Sequence, residues 1–168
     1  MNAMLDLKAT IGVDDAGAIT GLAWPFGTAD RVGDMIEKGA FAGVTLPIPM
    51  LFGHDMNDPV GVWTHAEEAS DGLRLKGKLL VDDVARAREV RALVRSGAVG
   101  GLSIGFRTRK AVARKGGGRT IKALDLFEVS LVTIPMHPGA RVTGAKSAAS
   151  ALALAEAINR AAAAIRGY

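Results

Sequence analysis

The sequence contains no cysteine, which excludes disulfide bonds, thiolate nucleophiles and zinc sites with cysteine ligands. Histidine is scarce as well, with only three residues, His54, His65 and His137. Their spacing does not resemble a metal-binding pattern such as His-x-x-x-His. The Gly116-Gly117-Gly118 stretch lacks the Gly-Lys-Ser/Thr ending of a phosphate-binding loop. We therefore expect neither a metal nor another cofactor.

Long apolar runs are also missing. No stretch of about 18 uncharged apolar residues occurs, so we expect no membrane-spanning helix and no membrane partner. The first ten residues lack a basic segment followed by an apolar block, so we expect no secretory signal. Together with the absence of cysteine, these features fit a cytoplasmic protein.

Aromatic residues are few, with five phenylalanines, two tryptophans and one tyrosine, which leaves little surface for stacking bases. The net charge of +4 is a small excess. Its basic residues concentrate in residues 107–122, around three consecutive glycines, and we interpret this segment as an exposed hairpin tip. The alternative is a nucleic-acid-binding barrel that uses residues 107–119, and its binding would fall steeply with salt. We expect no specific nucleic-acid partner.

Glycine and short strand-like segments are abundant in this chain of 168 residues. Residues 72–80 alternate, with Leu73, Leu75 and Leu79 facing one way and basic side chains facing the other. Similar segments recur without a regular alternation of strand and helix. The pattern predicts a β-rich α+β fold, a small β-barrel edged by a few helices.

Three segments have helical character. Residues 37–41 predict a short helix. Residues 84–95 predict a longer one, which Asp82 and Asp83 would cap and Gly97 would end. The third segment is the alanine-rich C-terminus. We therefore divide the chain into a globular domain, residues 1–145, and a flexible linker with an alanine-rich helical tail, residues 146–168.

Ser103 is the candidate nucleophile. It lies between glycines in a strand-like run, and if Leu102 and Ile104 face the core, its hydroxyl points the other way. The flanking Gly101 and Gly105 would let a substrate backbone approach closely. The letters match Gly-x-Ser-x-Gly, but a nucleophile elbow needs a strand–turn–helix, and here the strand continues. The alternative is a serine tolerated in a strand of small residues.

His54 and Glu128 are the other candidate catalytic residues. His54 follows a strand-like run and could serve as a general base, or form only local hydrogen bonds in its loop. Glu128 lies in an apolar strand and needs a partner there, either an arginine or the far nitrogen of His54. Asp125 competes for this role, but strand alternation turns it the opposite way, so only one of the two should reach the site.

A hydroxyl, an imidazole and a carboxylate are the components of an acyl-transfer site, so the leading interpretation is a serine protease. Of the remaining histidines, His65 is expected to be a structural residue at a strand end. His137 lies between Pro135 and Pro138 and could line the site.

Six segments in order carry a family resemblance, and the blocks around Ser103 and Glu128 are the most specific. The chain resembles the head maturation (prohead) proteases of tailed bacteriophages over roughly residues 18–145, a family that looks related to the herpesvirus assemblins. The segments are Gly39-Ala40-Phe41, Gly53-His54-Asp55, Pro59-Val60-Gly61, Gly72-Leu73, Gly97 leading into Gly101-Leu102-Ser103-Ile104-Gly105-Phe106, and Glu128-Val129-Ser130-Leu131-Val132-Thr133-Ile134-Pro135.

The resemblance implies a small barrel edged with helices, with the serine and histidine roles falling on Ser103 and His54. Assemblins use a second histidine as the third member, whereas this sequence offers Glu128 at the matching block. The implied substrates are the major head protein precursor with its scaffolding segment, and the protease itself. Cleavage is expected inside the assembling procapsid, in the bacterial host cytoplasm. We expect the oxyanion donors in residues 136–141, a loop that Arg141 would support.

The main competing interpretation is a catalytically inactive β-barrel module for capsid assembly, in which the three side chains would not converge. The sequence leaves the cleavage specificity and self-association of the chain open. Residues 146–150 form a small-residue linker that we regard as a candidate for self-cleavage.

Overall fold

The computed structural model describes residues 12–144, which contain eight strands and one α-helix. The predicted linker and alanine-rich tail, residues 146–168, lie outside the described residues. In chain order the elements are β1 (Ala18–Pro25), β2 (Met35–Ile36), β3 (Ile48–Phe52), β4 (Pro59–Glu68), β5 (Gly72–Leu79), α1 (Ala85–Arg95), β6 (Gly101–Ala113), β7 (Arg119–Val132) and β8 (Arg141–Val142).

Seven of these strands close into a barrel. The order is β7-β3-β4-β5-β1-β8-β6, and β6 pairs back with β7 to complete the ring. Strand β2 pairs with β7 outside the ring. The pairs within the ring are antiparallel except β3 with β7, which is parallel. The prediction of a β-rich barrel is confirmed.

The barrel interior is filled with apolar side chains. On β5, Leu73, Leu75 and Leu79 are buried while the basic residues between them are exposed, as the alternation predicts. Trp63 of β4 is fully buried, and its indole N–H donates to the Val129 carbonyl at 3.0 Å. Each fully buried leucine contributes about 1.5–3 kcal/mol relative to an exposed one. A site that substrate and water can reach is therefore expected on the outer face of the barrel.

Helix α1 buries Ala87, Val90 and Val94, and Gly97 follows it with φ of 79°, so the predicted apolar stripe and glycine stop are confirmed. The predicted capping by Asp82 and Asp83 is wrong. Val84 is the N-cap residue and no side chain caps the helix. The Val84 side chain packs against the core, and the helix begins at Ala85.

The predicted helix at residues 37–41 is also wrong, because these residues form turns. Gly39 has φ of 98°, which is incompatible with a right-handed helix. The Glu68 carboxylate accepts hydrogen bonds from the backbone N–H groups of Gly39 and Phe41, at 2.8 and 3.3 Å. These bonds hold the turn so that the Phe41 ring enters the core.

Strands β6 and β7 form a long hairpin whose tip, residues 114–118, carries the three consecutive glycines, so the predicted hairpin is confirmed. Directly after the tip, Arg119 donates to the buried Asp34 carboxylate at 2.5 Å and holds the pKa of Asp34 below its usual range. This ion pair ties the hairpin to the loop before β2. Within residues 12–144, no helix is long and apolar enough to cross a membrane.

Candidate active site

The candidate site lies on the outer face of the barrel, where β3, β7 and β6 are neighbours. The β6–β7 register places Ser103 opposite Ser130 and Gly105 opposite Glu128. The alternate residues on these strands, Leu102 and Val129 among them, are fully buried in the core. Because successive side chains point to opposite faces, Ser103, Glu128 and Ser130 share the outer face.

His54 reaches this face from a tight turn that follows β3. Gly53 and His54 both have φ of 63°, and His54 is the one non-glycine residue with positive φ in the described part of the chain. Its Nδ1 lies 2.6 Å from Glu128 Oε1. A carboxylate only accepts hydrogen bonds, so Nδ1 carries the ring proton and donates it. The lone pair of Nε2 is then available to a second partner.

Glu128 is 4% exposed, and both of its carboxylate oxygens have donors. Oε1 accepts from His54, and Oε2 accepts from the Ser130 hydroxyl at 2.7 Å. Gly105 on the neighbouring strand leaves the space that this carboxylate occupies. A Cβ at Gly105 would lie 2.9 Å from Glu128 Cδ and closer still to Oε1. The carboxylate therefore fits over β6 only because that position is glycine.

Ser103 is 7% exposed and borders a small cleft of about 30 Å³. Trp24, Met136 and His137 also line this cleft. Among residues 12–144, no hydrogen bond joins the Ser103 hydroxyl to His54. Ser103 lies opposite Ser130 in the β6–β7 register, and the His54 backbone N–H donates to Ser130 Oγ. Catalytic hydrogen bonds are often long in unliganded enzymes and tighten when substrate binds.

Asp125, the competing carboxylate, is bound elsewhere. Its side chain pairs with Arg109 Nε at 2.6 Å and Arg107 Nη2 at 2.8 Å. Hydrogen bonds from Arg109, the larger effect, and from Arg107 hold the pKa of Asp125 below its usual range. The structure thus brings Glu128 to His54, and gives Asp125 the arginine partners that were the alternative for Glu128.

His137 lines the cleft beside Ser103, as its position between two prolines suggested. Burial lowers the pKa of His137. Its Nδ1 accepts a hydrogen bond from the Gly139 N–H at 3.1 Å, so the proton of the neutral ring lies on Nε2. The distance from Nε2 to Thr28 Oγ1 is 3.1 Å. His137 therefore lies at the edge of the cleft with each ring nitrogen close to a neighbouring polar group.

The loop expected to supply oxyanion donors uses two of its amides internally. The Gly139 N–H donates to the His137 ring and the Ala140 N–H to the His137 carbonyl. Arg141 Nε lies 3.5 Å from the Gly139 carbonyl, and its support of the loop stays a prediction. The amides of Gly139 and Ala140 already have partners and are poor candidates for oxyanion binding.

His65 is distant in the sheet from these residues. Its side chain is exposed on β4 and lies 4.0 Å from Glu67. It lines a cavity of about 490 Å³ together with Thr20, Arg74 and Lys76. That cavity borders β1, β4 and β5, so its size does not mark the place where the candidate catalytic groups meet.

Sequence reasoning missed the roles of Ser130 and Gly105. Ser130 follows Glu128 by two residues in a strand, so period-2 alternation alone places both side chains on one face. Gly105 gave no comparable signal, because its role depends on the β6–β7 register. The assembled site offers a hydroxyl and, on the same outer face, an imidazole whose proton is fixed on Nδ1 by a buried carboxylate. These are the components that acyl transfer requires.

Comparison with known proteins gives independent evidence on the family of the chain. The model of the caudovirus prohead serine protease family matches residues 4–154, a range that extends beyond residues 18–145 at both ends. The chain is 34% identical over 141 residues to a capsid polyprotein of Pseudomonas phage PAJU2, covering 80% of this chain and 21% of that protein. It is 33% identical over 149 residues to the prohead protease of Enterobacteria phage HK97, covering 84% of this chain and 65% of that protein. The chain thus spans less than two thirds of the length of these curated relatives.

A solved structure of KSHV protease in complex with a hexapeptide phosphonate inhibitor is also similar, at 16% identity and a TM-score of 0.49. This match covers 74% of the present chain and 63% of that protein. The family match covers most of the chain and, within the described residues, spans every element of the barrel and of the candidate site. The chain belongs to the caudovirus prohead serine protease family.

Proposed function

We propose that this chain is a serine endopeptidase with Ser103 as nucleophile, His54 as general base and acid, and Glu128 as the residue that orients His54. The observation that carries the proposal is the 2.6 Å hydrogen bond between His54 Nδ1 and Glu128 Oε1, on the barrel face that also bears Ser103. Family membership supports the same reaction.

The first half of the reaction forms an acyl-enzyme. His54 Nε2 takes the Ser103 hydroxyl proton while the oxygen bonds to the carbonyl carbon of the scissile peptide. The carbonyl oxygen becomes an oxyanion, which backbone N–H donors would stabilise by about 3 kcal/mol each. When this intermediate collapses, the C–N bond breaks and His54 returns the proton to the leaving amine. Glu128 stabilises the imidazolium that exists between these two steps.

The second half regenerates the enzyme. Water enters where the amine left, His54 takes one of its protons, and the water oxygen bonds to the acyl carbon. The ester bond to Ser103 then breaks, and His54 returns the proton to the serine oxygen. The products are a free carboxylate and a free amine, with one water consumed.

The proposed substrates are the major head protein precursor with its scaffolding segment, and the chain itself. The names of the relatives support this assignment, since one is a capsid polyprotein and another is a prohead protease. The proposed place of action is the inside of the assembling procapsid, in the cytoplasm of a bacterial host. The candidate self-cleavage linker, residues 146–150, lies outside the described residues.

Intact mass after co-expression with the cognate head protein tests the proposed function. We expect the wild-type chain to shorten the head protein, and Ser103→Ala to leave it at full length, because loss of a triad nucleophile costs several orders of magnitude in rate. The new termini would give the cleavage specificity. Assembled heads that stay uncut with the wild-type chain would instead favour the inactive assembly module.

Gly105→Ala should weaken the site without replacing any of the three proposed catalytic side chains. The added Cβ would collide with the Glu128 carboxylate and displace it from His54, and a misplacement of about 1 Å can cost about a hundredfold in rate. The measurement is the rate of labelling by a fluorophosphonate probe. In that reaction the Ser103 oxygen bonds to phosphorus, fluoride leaves and His54 takes the proton.

Gly100→Ala is the matched control for this variant. Gly100 lies just before the same strand, and a Cβ built there meets nothing within 4 Å. We expect Gly100→Ala to be labelled at nearly the wild-type rate. Equal labelling rates for the two alanine variants would contradict the role assigned to Gly105.

A further inference from the structure

Ser130 joins the proposed base and the carboxylate through a single hydroxyl group. Ser130 is fully buried, yet its Oγ makes two hydrogen bonds on the outer face of β7. It accepts the backbone N–H of His54 at 3.0 Å and donates to Glu128 Oε2 at 2.7 Å. It also lies directly opposite Ser103 in the β6–β7 register.

The directions of these hydrogen bonds follow from the groups involved. A backbone N–H can only donate, so Ser130 Oγ is the acceptor from His54. The hydroxyl proton has no exposure to water, so it must go to Glu128 Oε2. Both oxygens of Glu128 are then acceptors, one from Ser130 and one from His54. These hydrogen bonds fix the directions of the Ser130 hydroxyl proton and of the His54 Nδ1 proton.

The backbone of His54 needs such a contact. Its φ of 63° is a left-handed conformation that residues other than glycine rarely adopt. Strand β3 ends at Phe52. After it, the Gly53 N–H donates to the Leu131 carbonyl of β7 at 3.0 Å, which is the last backbone hydrogen bond between the turn and β7. Among the described residues, Ser130 Oγ is the only partner of the His54 amide.

We propose that Ser130 is a positioning residue that holds the His54 backbone and the Glu128 carboxylate in their reactive arrangement. This inference rests on the proposed function and adds a fourth residue to it. Ser130 forms or breaks no bond in the proposed reaction, so it acts through the geometry of His54 and Glu128. Its removal frees the His54 turn and one oxygen of Glu128 together.

The test uses the full chain and the fluorophosphonate probe. We expect Ser130→Ala to lower the labelling rate constant by about 10- to 100-fold, as loss of alignment at a catalytic base does. Proton NMR provides a second measurement, because the short His54 Nδ1–H hydrogen bond should give a resonance far downfield. That signal should shift or disappear in Ser130→Ala. The control is Ser96→Ala, which removes a hydroxyl that also bridges a backbone N–H and a second oxygen, outside the site.

Ser130→Thr separates positioning from packing. The threonine keeps the hydroxyl but adds a methyl group to a fully buried position, so a purely packing role makes Thr worse than Ala. The positioning role makes Thr faster than Ala. Rates are compared at a temperature where circular dichroism shows all variants to be folded. If Ala equals wild type in rate and NMR signal, or if Thr is slower than Ala, the role of Ser130 is disproved.

The same experiment distinguishes failure of this inference from failure of the proposed function. If the wild-type chain is labelled no faster than Ser103→Ala, the proposed function itself fails. If Ser103 of the wild type is labelled and Ser130→Ala reacts equally fast, only the role of Ser130 is lost.

Discussion

Replacing His54 with alanine is expected to slow the acylation of Ser103 by about a millionfold, the loss typical of a catalytic residue in a serine protease. Without the imidazole, no group takes the serine proton as the oxygen attacks. The labelling rate constant with the fluorophosphonate probe measures this loss. His65→Ala is the matched control, since His65 is exposed on β4 and contacts none of the candidate residues.

The double variant His54→Ala/Glu128→Gln makes the test sharper. Glu128 acts through His54, so its substitution should cost nothing further once the imidazole is gone. A double variant that is much slower than His54→Ala would mean that Glu128 acts on the reaction directly, and the assigned roles would be wrong.

Glu128→Gln is expected to lower the labelling rate by about ten-thousandfold, through the wrong histidine tautomer. The Ser130 hydroxyl donates to the Oε2 position, so the glutamine oxygen should take that place and its NH₂ should face His54 Nδ1. Because that NH₂ donates, Nδ1 must accept, and the ring proton moves to Nε2. His54 then has no lone pair to offer Ser103.

Asp125→Asn is the control that decides between the two carboxylates. Its partners are Arg107 and Arg109 on a half-exposed surface, where ion pairs are worth about 1 kcal/mol or less. We expect its labelling rate to stay within a few-fold of wild type. If Asp125→Asn lost most of its labelling rate while Glu128→Gln kept it, Asp125 rather than Glu128 would be the residue that orients His54.

Much of the barrel could be predicted because its strands show period-2 alternation. In β5 and around Ser103, this alternation alone identifies the side chains that face the core, and Leu73, Leu75 and Leu102 are indeed buried there. The missed features are those where a distant contact outweighs local preference. Glu68 holds residues 39–41 in a turn from 27 to 29 residues away, and no local pattern could reveal that.

The candidate site was predictable in its residue types but not in its connections. A carboxylate inside an apolar strand required a partner, and the sequence allowed either an arginine or His54. The choice depends on β3 lying beside β7 in parallel, with Leu51 opposite Ser130. Parallel neighbours leave no hairpin signal in the sequence, so neither this pairing nor the Ser130 bridge could be read from it.

The parallel pairing of β3 with β7 also has a kinetic meaning. Ser103, Glu128 and Ser130 belong to one hairpin, whereas the contacts of His54 with Glu128 and Ser130 span 74 and 76 residues. Short-range contacts form quickly during folding, and long-range ones are slow. A chain whose hairpin has formed but whose barrel is still open would possess the nucleophile and the carboxylate without the base. The proposed protease would thus gain its reactivity only when this long-range contact between β3 and β7 has formed.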